Sequence, residues 1–430
     1  VRRDTQKKIE KKKRKIAEKL MKRNWQDQPC PMLSGRNIHY DFDGRYSGIS
    51  CGGIGIILQM VQSLGLTEEI NSKLDLLKRH LPYHESDHIL NIVFNILAGG
   101  TCLEDIELLR NNEPYIDALG AQIIPDPTTA GDFLRRFNRE NIIMFMDLVN
   151  NIRKHIWLKQ SQSFKKEAII NVDGTIVPTN GECKGGMDIS YNKLWGYHPL
   201  VISLASTREA LYIVNRPGNV PSHTDSALWI DKAIDLVSDV FETVYVRGDT
   251  DYYLTSNFDR WSERCIFVFG VDARENMIRI ADSISESQWE LFEREAKYTI
   301  TTEERERPVN VKDQVIEERG FKKIETEAEY LAEFSYQPKK CNKSYRVIVL
   351  KKKIKITRGG VVLDNVIRYF FYITNDEIRS ASDVLEFYRD RADHENDIAQ
   401  LKSGTRALHA PSNNLISNWA YMVIASLAWT

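Results

Sequence analysis

The sequence is short of the residues that would place it in several common classes. Its six cysteines, at 30, 51, 102, 183, 265 and 341, are scattered and none makes a C-x-x-C pair. Neither a zinc ribbon nor a disulfide framework is indicated, and reduced, mostly buried thiols are expected. No apolar run reaches the length of a membrane span, and no short apolar segment follows the basic N-terminus as a secretory signal would require. A cytoplasmic protein is expected. Internal repeats are absent, and so are low-complexity tracts beyond the N-terminal arm. Net charge is nearly absent too, at −1.

That near-neutrality hides an asymmetry. Residues 1–25 hold twelve Lys or Arg against three acids, so the arm carries +9 and the rest of the chain −10. A second run, KKCNKSYRVIVLKKKIKITR (339–358), has nine Lys or Arg and no acid. Such clusters suit a polyanion, and nucleic acid is the leading partner, although a basic tail alone is as often a solvated helix or a localisation signal. Hydrophobic residues at 42% and charged residues at 28% otherwise describe an ordinary globular chain, long enough for two or three domains.

The periodicity divides the chain. Residues 1–50 read as a basic amphipathic arm (Ile9, Ile16, Leu20) and an irregular lead-in punctuated by Gly and Pro. Residues 51–160 read as successive helices, with Thr67 and Ser86 as expected N-caps. There PDPTTAGDFLRRFN sets Arg135 and Arg136 in either a helix-turn-helix or a plain helical bundle. From 161 to 274 the texture becomes β-branched: EAIINVDGTIV, PLVISLAS, ALYIVNR, VYVRGDT and CIFVFGVD read as strands, and SALWIDKAIDLVSDVF as a helix between the third and fourth. Residues 275–375 are too long for a loop and read as a β-rich insertion. Within it SYRVIVL, KIKIT and VIRYFFYIT are expected strands, ISESQWELFEREAKY an expected helix, and TTEERERPVNVKDQVIEERG too mixed in charge to assign. Lys351, Lys352 and Lys353 would stand on this insertion and face a nucleic-acid backbone. Residues 376–430 return to helix and end inside NWAYMVIASLAWT with no stop signal, which leaves room for residues beyond 430.

Two acids interrupt the expected central strands. Asp173 lies in AIINVDGT and Asp249 just past Val244–Val246 in VYVRGDT. A carboxylate there is costly unless it is paired or bound to a metal. Asp173 before Gly174 could also shape a turn, and Asp249 could pair with Arg247 or cap the next helix. Asp251, two residues on, competes with Asp249. His198 and Trp195 are secondary candidates, each with an ordinary packing role as the alternative.

The segment YRDRADHENDIAQLK (388–402) supplies a third acid. At about 100° per residue, Tyr388, Arg391, Glu395 and Lys402 fall within roughly a 60° sector of one helix face. By itself that is an ordinary charged helix. With Asp173 and Asp249 it is a set of three carboxylates, whose hard oxygen donors favour Mg²⁺, with Mn²⁺ as a substitute, over zinc.

The order Tyr388, two residues, Arg391, three residues, Glu395, six residues, Lys402 resembles the YREK signature of bacterial insertion-sequence DDE transposases. Asp173 in NVDGT and Asp249 in RGDTDYY are similar to that group's two catalytic aspartates, and Glu395 to its glutamate; the similarity extends to GYHPL (196–200) and to the insertion between the second Asp and the Glu. The resemblance implies an α/β fold in which an RNase H-like mixed sheet is flanked by helices, interrupted by the β-rich insertion and preceded by an all-α N-terminal domain. It implies metal binding and catalysis by Asp173, Asp249 and Glu395, and phosphate contacts by Tyr388, Arg391 and Lys402. It further implies cut-and-paste transposition, an endonuclease step followed by strand transfer. The partners would be terminal inverted repeats and target DNA, and the protein a homodimer in a synaptic complex within a bacterial nucleoid. The alternatives are an RNase H-like nuclease that does not join DNA, a domesticated DNA-binding protein, and a glycoside hydrolase using two of the carboxylates.

Overall fold

The computed structural model describes residues 7, 10, 11, 13, 14, 49–80, 82–294, 308, 310–359 and 361–430. The chain divides into two compact units, residues 1–48 and 49–430. In the first unit the described residues are helical; Ile9, Ile16 and Leu20, expected to line an amphipathic face, lie outside the described residues. All that follows concerns the second unit.

Its first part is helical: α1 (Ile54–Ser63), α2 (Leu66–Lys73), α3 (Glu85–Leu97), α4 (Ile106–Arg110), α5 (Glu113–Ala118), α6 (Pro127–Leu134) and α7 (Arg139–Leu158). Two expected caps move. Gly65 takes a left-handed backbone (φ 69°) that turns α1 into α2, so α2 starts one residue before Thr67. Helix α3 starts at Glu85 with His84 as N-cap, because Asp87 reaches back to the His84 N–H at 2.8 Å; Ser86 is already inside the first turn and its N–H donates to Asn71. Asp126 caps α6, accepting from the Thr129 N–H at 2.9 Å, with Pro127 at the first helical position.

The β-branched texture gives the five expected strands as β1 (Glu167–Gly174), β5 (Leu200–Leu204), β6 (Glu209–Val214), β7 (Thr243–Gly248) and β8 (Ile266–Val271), and between the first two lie the short β2 (Val177–Pro178), β3 (Asp188–Ile189) and β4 (Trp195–Tyr197), of which the last two lie outside the expected strands. Helix α8 (Ser226–Ser238) crosses from β6 to β7 and buries Trp229, Ile230, Ala233, Ile234 and Val237. It is followed by α9 (Phe258–Trp261) and, beyond β8, α10 (Glu275–Ser283). The main sheet runs β6-β5-β1-β7-β8: β1 is antiparallel to β5 and parallel to β7, and β7 is parallel to β8. β2, β4 and β3 make a small separate sheet. The result is a mixed α/β fold.

The insertion departs further from expectation. Past β9 (Glu290–Leu291) and α11 (Val311–Glu318) come three long antiparallel strands, β10 (Lys322–Tyr336), β11 (Tyr345–Arg358) and β12 (Val361–Thr374), and β12 joins β8, so the main sheet continues through them. SYRVIVL and KIKIT are one strand. Over its described residues, 284–294, the expected helix ISESQWELFEREAKY holds a single 3₁₀ turn and β9. Edge pairing to Tyr330 and Leu331 wins there, helped by burial of Phe292 and by its N–H bonding to Glu329 O at 2.9 Å.

The segment 388–402 is two helices, α12 (Ala381–Arg389) and α13 (Ala392–Ser403). Three-residue hydrogen bonds from Arg391 to Tyr388 O, Asp393 to Asp390 O and His394 to Arg391 O tighten the chain at the junction and break the single stripe. The last helix, α14 (Leu415–Ser426), is buried from Ser417 onward. One continuous hydrophobic core runs from Ile54 through the sheet to Ala425. Helix α7 seals the β6 edge: Asn150 and Arg153 donate to Leu211 O and Ala210 O, both at 2.9 Å, and Trp157 donates to Glu209. Among the described residues no helix is long and apolar enough to cross a membrane, and the five described cysteines are free.

Candidate active site

The parallel register sets the site. Val172 on β1 stands opposite Gly248 on β7, so Asp173 and Asp249 follow as neighbours at the same edge of the sheet. Asp249 opens a 3₁₀ turn (Thr250–Tyr252) and accepts the Asp251 N–H at 2.9 Å. Gly248 packs tightly there, since a Cβ would stand 3.0 Å from the Tyr252 ring and would have to displace it by a few tenths of an ångström.

Burial pushes the Asp173 carboxyl up to about 6; Arg391 pulls it back and the Asp249 charge adds to the rise. Asp249 is also raised, by burial first and by Asp251, against the Asp251 N–H that stabilises its ionised form. Two half-desolvated carboxyls side by side resist ionisation unless a cation sits between them.

In this structure the nearby cation is Arg391. Its guanidinium donates to Asp173 Oδ2 at 3.0 Å and lies 3.8 Å from Glu395 Oε1, itself exposed. Tyr388 belongs to the same group. Its hydroxyl is 3.1 Å from where a Cβ on Gly270 would stand, and its ring packs on Tyr372 at 4.6 Å. Burial raises Tyr388, and Arg391 opposes that rise. Burial lowers the Lys402 ammonium while the Asp173 charge favours it. Elements far apart in sequence thus bring Asp173, Asp249, Tyr388, Arg391, Glu395 and Lys402 together.

The donor set fits a hard divalent ion. It offers carboxylate oxygens from Asp173 and Asp249, both destabilised as anions, with Glu395 within reach of Arg391. A cation with oxygen preference would relieve that repulsion. The three acids are not closed to ligand spacing; among the described residues the group that meets it is His80, His84 and Glu85.

Sequence reasoning missed three supports. Arg247, buried, donates from Nε to Asn171 Oδ1 at 2.6 Å and from Nη1 to Phe387 O, tying β1 and β7 to α12 next to Tyr388. Its only signal was the Arg-x-Asp spacing to Asp249. His394, fully buried, holds Ser203 Oγ at 2.9 Å and pins α13 to β5. Tyr252 lies fully buried beneath the aspartates. Nothing in the sequence singled out either.

The remaining candidates sit on other elements. Lys351 is 5% exposed, bonded to Glu286 at 2.9 Å and stacked over Trp289. Lys352 lies 2.9 Å from the buried Glu329, which also takes Arg294 and Arg389, and Lys353 lies over Tyr330. Two of the three lysines are therefore engaged within the protein. Arg135, at the end of α6, pairs with Asp132, and Arg136 donates to Leu76 O at 3.4 Å. His198 Nδ1 meets Val220 O at 2.8 Å, anchoring the following loop, while Trp195 is 54% exposed on β4. Gly196 beside it is obligatory, since a Cβ would stand 2.2 Å from Val177 O.

Residues 30–430 match the family described as Transposase DDE domain group 1. No curated protein matches the chain. Among solved structures, the chain is similar to a cryo-EM structure of piggyBac transposase in a synaptic complex with hairpin DNA. The identity is 9% and the TM-score 0.39, over 86% of this chain and 74% of that one.

Proposed function

The chain belongs to the transposase DDE domain family, group 1, and from that premise we propose that it cuts and joins DNA at Asp173, Asp249 and Glu395. The observation that carries this reading is the Arg391–Asp173 ion pair at 3.0 Å, which unites the YREK-like segment with the strand-end acids. The strand order β6-β5-β1-β7-β8, with its antiparallel half and its parallel half, supports an RNase H-like core, and the helices between 54 and 158 support an N-terminal all-α domain that shares its core with the sheet.

The three carboxylates would hold Mg²⁺, with Mn²⁺ able to substitute, and the bound metal supplies an activated water or 3′-hydroxyl and neutralises the leaving oxygen. Arg391 exchanges Asp173 for a DNA phosphate once the acids are otherwise neutralised. Tyr388 and Lys402 flank it and fix the strand beside the bond that is cut. Lys353, Arg135 and Arg136 contribute backbone contacts further out, and the helical region reads the terminal inverted repeats. Two ends must be joined to one target, so the working form is a homodimer on DNA, acting in the cytoplasm of a bacterium.

The test is incubation with duplex DNA from the edges of the coding element, with Mg²⁺ or EDTA, beside Asp173→Asn and Glu395→Gln. Metal-dependent cuts at the element boundary, lost in both variants, and joined products on added target DNA are expected. Cuts without joining would reduce the reading to a nuclease; equal cutting by the variants would remove the triad.

A further inference from the structure

A second cluster of ligand-type side chains lies far from that chemistry in sequence. Between α2 and α3, residues 74–80 fold back on Glu85, the first residue of α3, which is 2% exposed. Glu85 Oε1 accepts the N–H groups of Leu76 at 3.0 Å and Leu77 at 2.9 Å, leaving Oε2 facing His80 Nε2 at 3.1 Å. The His80 and His84 rings stack, with centroids 4.0 Å apart and planes 13° apart. One ligand atom from each of the three residues lies within 4.8 Å of the others.

We propose that His80, His84 and Glu85 bind one Zn²⁺, at a site separate from the strand-end carboxylates. Two imidazoles and one carboxylate are a zinc set, with a fourth position left for water, and a poor one for Mg²⁺. Zinc bonds of about 2.0–2.2 Å put tetrahedral ligand atoms roughly 3.3 Å apart. The His80–Glu85 pair already has that spacing. Rotation of the two exposed rings closes the rest. Glu85 need not move, because the two backbone N–H groups hold its other oxygen as an outer-shell support does in metal sites. The start of α3 opposes a cation, and Glu85 and Asp87 in its first turn offset that field.

His88 lies one turn beyond His84 on α3. It is 4% exposed and stacked on Phe133 at 4.4 Å, and its Nδ1 has no partner. The order His84-Glu85-x-x-His88 is that of a helical zinc motif in which both histidines bind. Here the roles differ: His88 packs into the core, and His80 from the folded-back segment takes its place. A bound zinc would clamp residues 74–80 onto α3, beside the point where Arg136 reaches Leu76 O.

The test uses the full chain carrying Asp173→Asn and Asp249→Asn, which silences the carboxylate site and makes the outcome independent of the proposed catalysis. The metal-free protein is titrated with Co²⁺, read by visible absorption, and with Zn²⁺, read by calorimetry and melting. One equivalent, a tetrahedral-type cobalt band and a raised melting temperature are expected. His80→Ala and His84→Ala should each weaken zinc by at least about tenfold and remove most of the zinc-induced rise in melting temperature, measured against each variant's own metal-free form, because His80 also bonds Glu85 and His84 caps α3. No saturable equivalent, or the same affinity in both histidine variants, overturns the site.

Discussion

Replacing Asp173 by Asn is expected to stabilise the metal-free protein above pH 7 while destroying its chemistry. The Asp173 side chain is 16% exposed, and burial moves its carboxyl from 3.8 to about 6 despite the Arg391 ion pair. A carboxyl that holds its proton more tightly folded than unfolded favours the folded state at low pH. The advantage is lost as pH rises from about 4 through about 6. A shift of about two units corresponds to about 3 kcal/mol. Asparagine mimics the protonated acid and still accepts from Arg391. The variant should therefore be more stable than the parent by about 3 kcal/mol at pH 8, and by less than about 1 kcal/mol at pH 4. Urea unfolding in EDTA across that range measures the gap, and added Mg²⁺ should narrow it by stabilising only the parent. An Asn variant less stable than the parent at pH 8, or a gap that does not change with pH, would refute the reasoning.

Burial would raise Glu329, but hydrogen bonds from Arg294 and Lys352 override it and hold the carboxyl at about 2; its contribution is present above pH 4.5 and lost as pH falls through 2. Glu329→Gln should cost about 3 kcal/mol at neutral pH in urea unfolding, with no loss in a parent already acidified below that window. Arg247→Met leaves Asn171 Oδ1 and Phe387 O without their donor and should cost about 2–4 kcal/mol by the same measurement. Lys353→Ala should reduce the salt slope of duplex binding by about 0.9, whereas Lys351→Ala, at an ammonium already bonded to Glu286, should leave the slope unchanged and lower the melting temperature. Gly196→Ala forces a methyl against Val177 O and should cost about 1–3 kcal/mol, read as a drop in melting temperature.

The sequence was most legible where one physical demand dominated. The strands β1, β7 and β8 are buried on both faces and read as continuous β-branched runs, so their positions and the acids at their ends were visible in advance. β10 was invisible because KKIETEAEYLAEFSY carries its charges on a half-exposed strand whose partner is β11; nothing local demands extension. The helix expected from ISESQWELFEREAKY failed over its described part for the same reason. Its tryptophan and Phe292 are held by distant strands, Trp289 against Tyr369 and Phe292 in the core, and long-range packing overrode local propensity. The sequence shows the lysines of β11 without the carboxylates that engage Lys351 and Lys352, because Glu286 and Glu329 lie 65 and 23 residues away.

The break between α12 and α13 changes what the YREK-like spacing means physically. On one straight helix the four side chains would form a rigid comb. Across a 3₁₀ junction, Tyr388 is fixed by α12 against Tyr372 and Gly270, and Glu395 by α13, whose His394 is pinned to Ser203. Arg391 stands at the joint, next to Asp173. The spacing in sequence then reflects the geometry of two anchors rather than one helical face. Arg247 belongs to this logic, because it grips Phe387 O at the end of α12 while standing two residues before Asp249 on β7. A change at Arg247 should therefore displace Tyr388 and Arg391 together relative to Asp173, without touching any carboxylate. Fluorescence or spin-label distances from α12 to β1 in Arg247→Met, compared with Arg247→Lys, would measure that displacement. If neither substitution moves α12, the joint is held by packing alone.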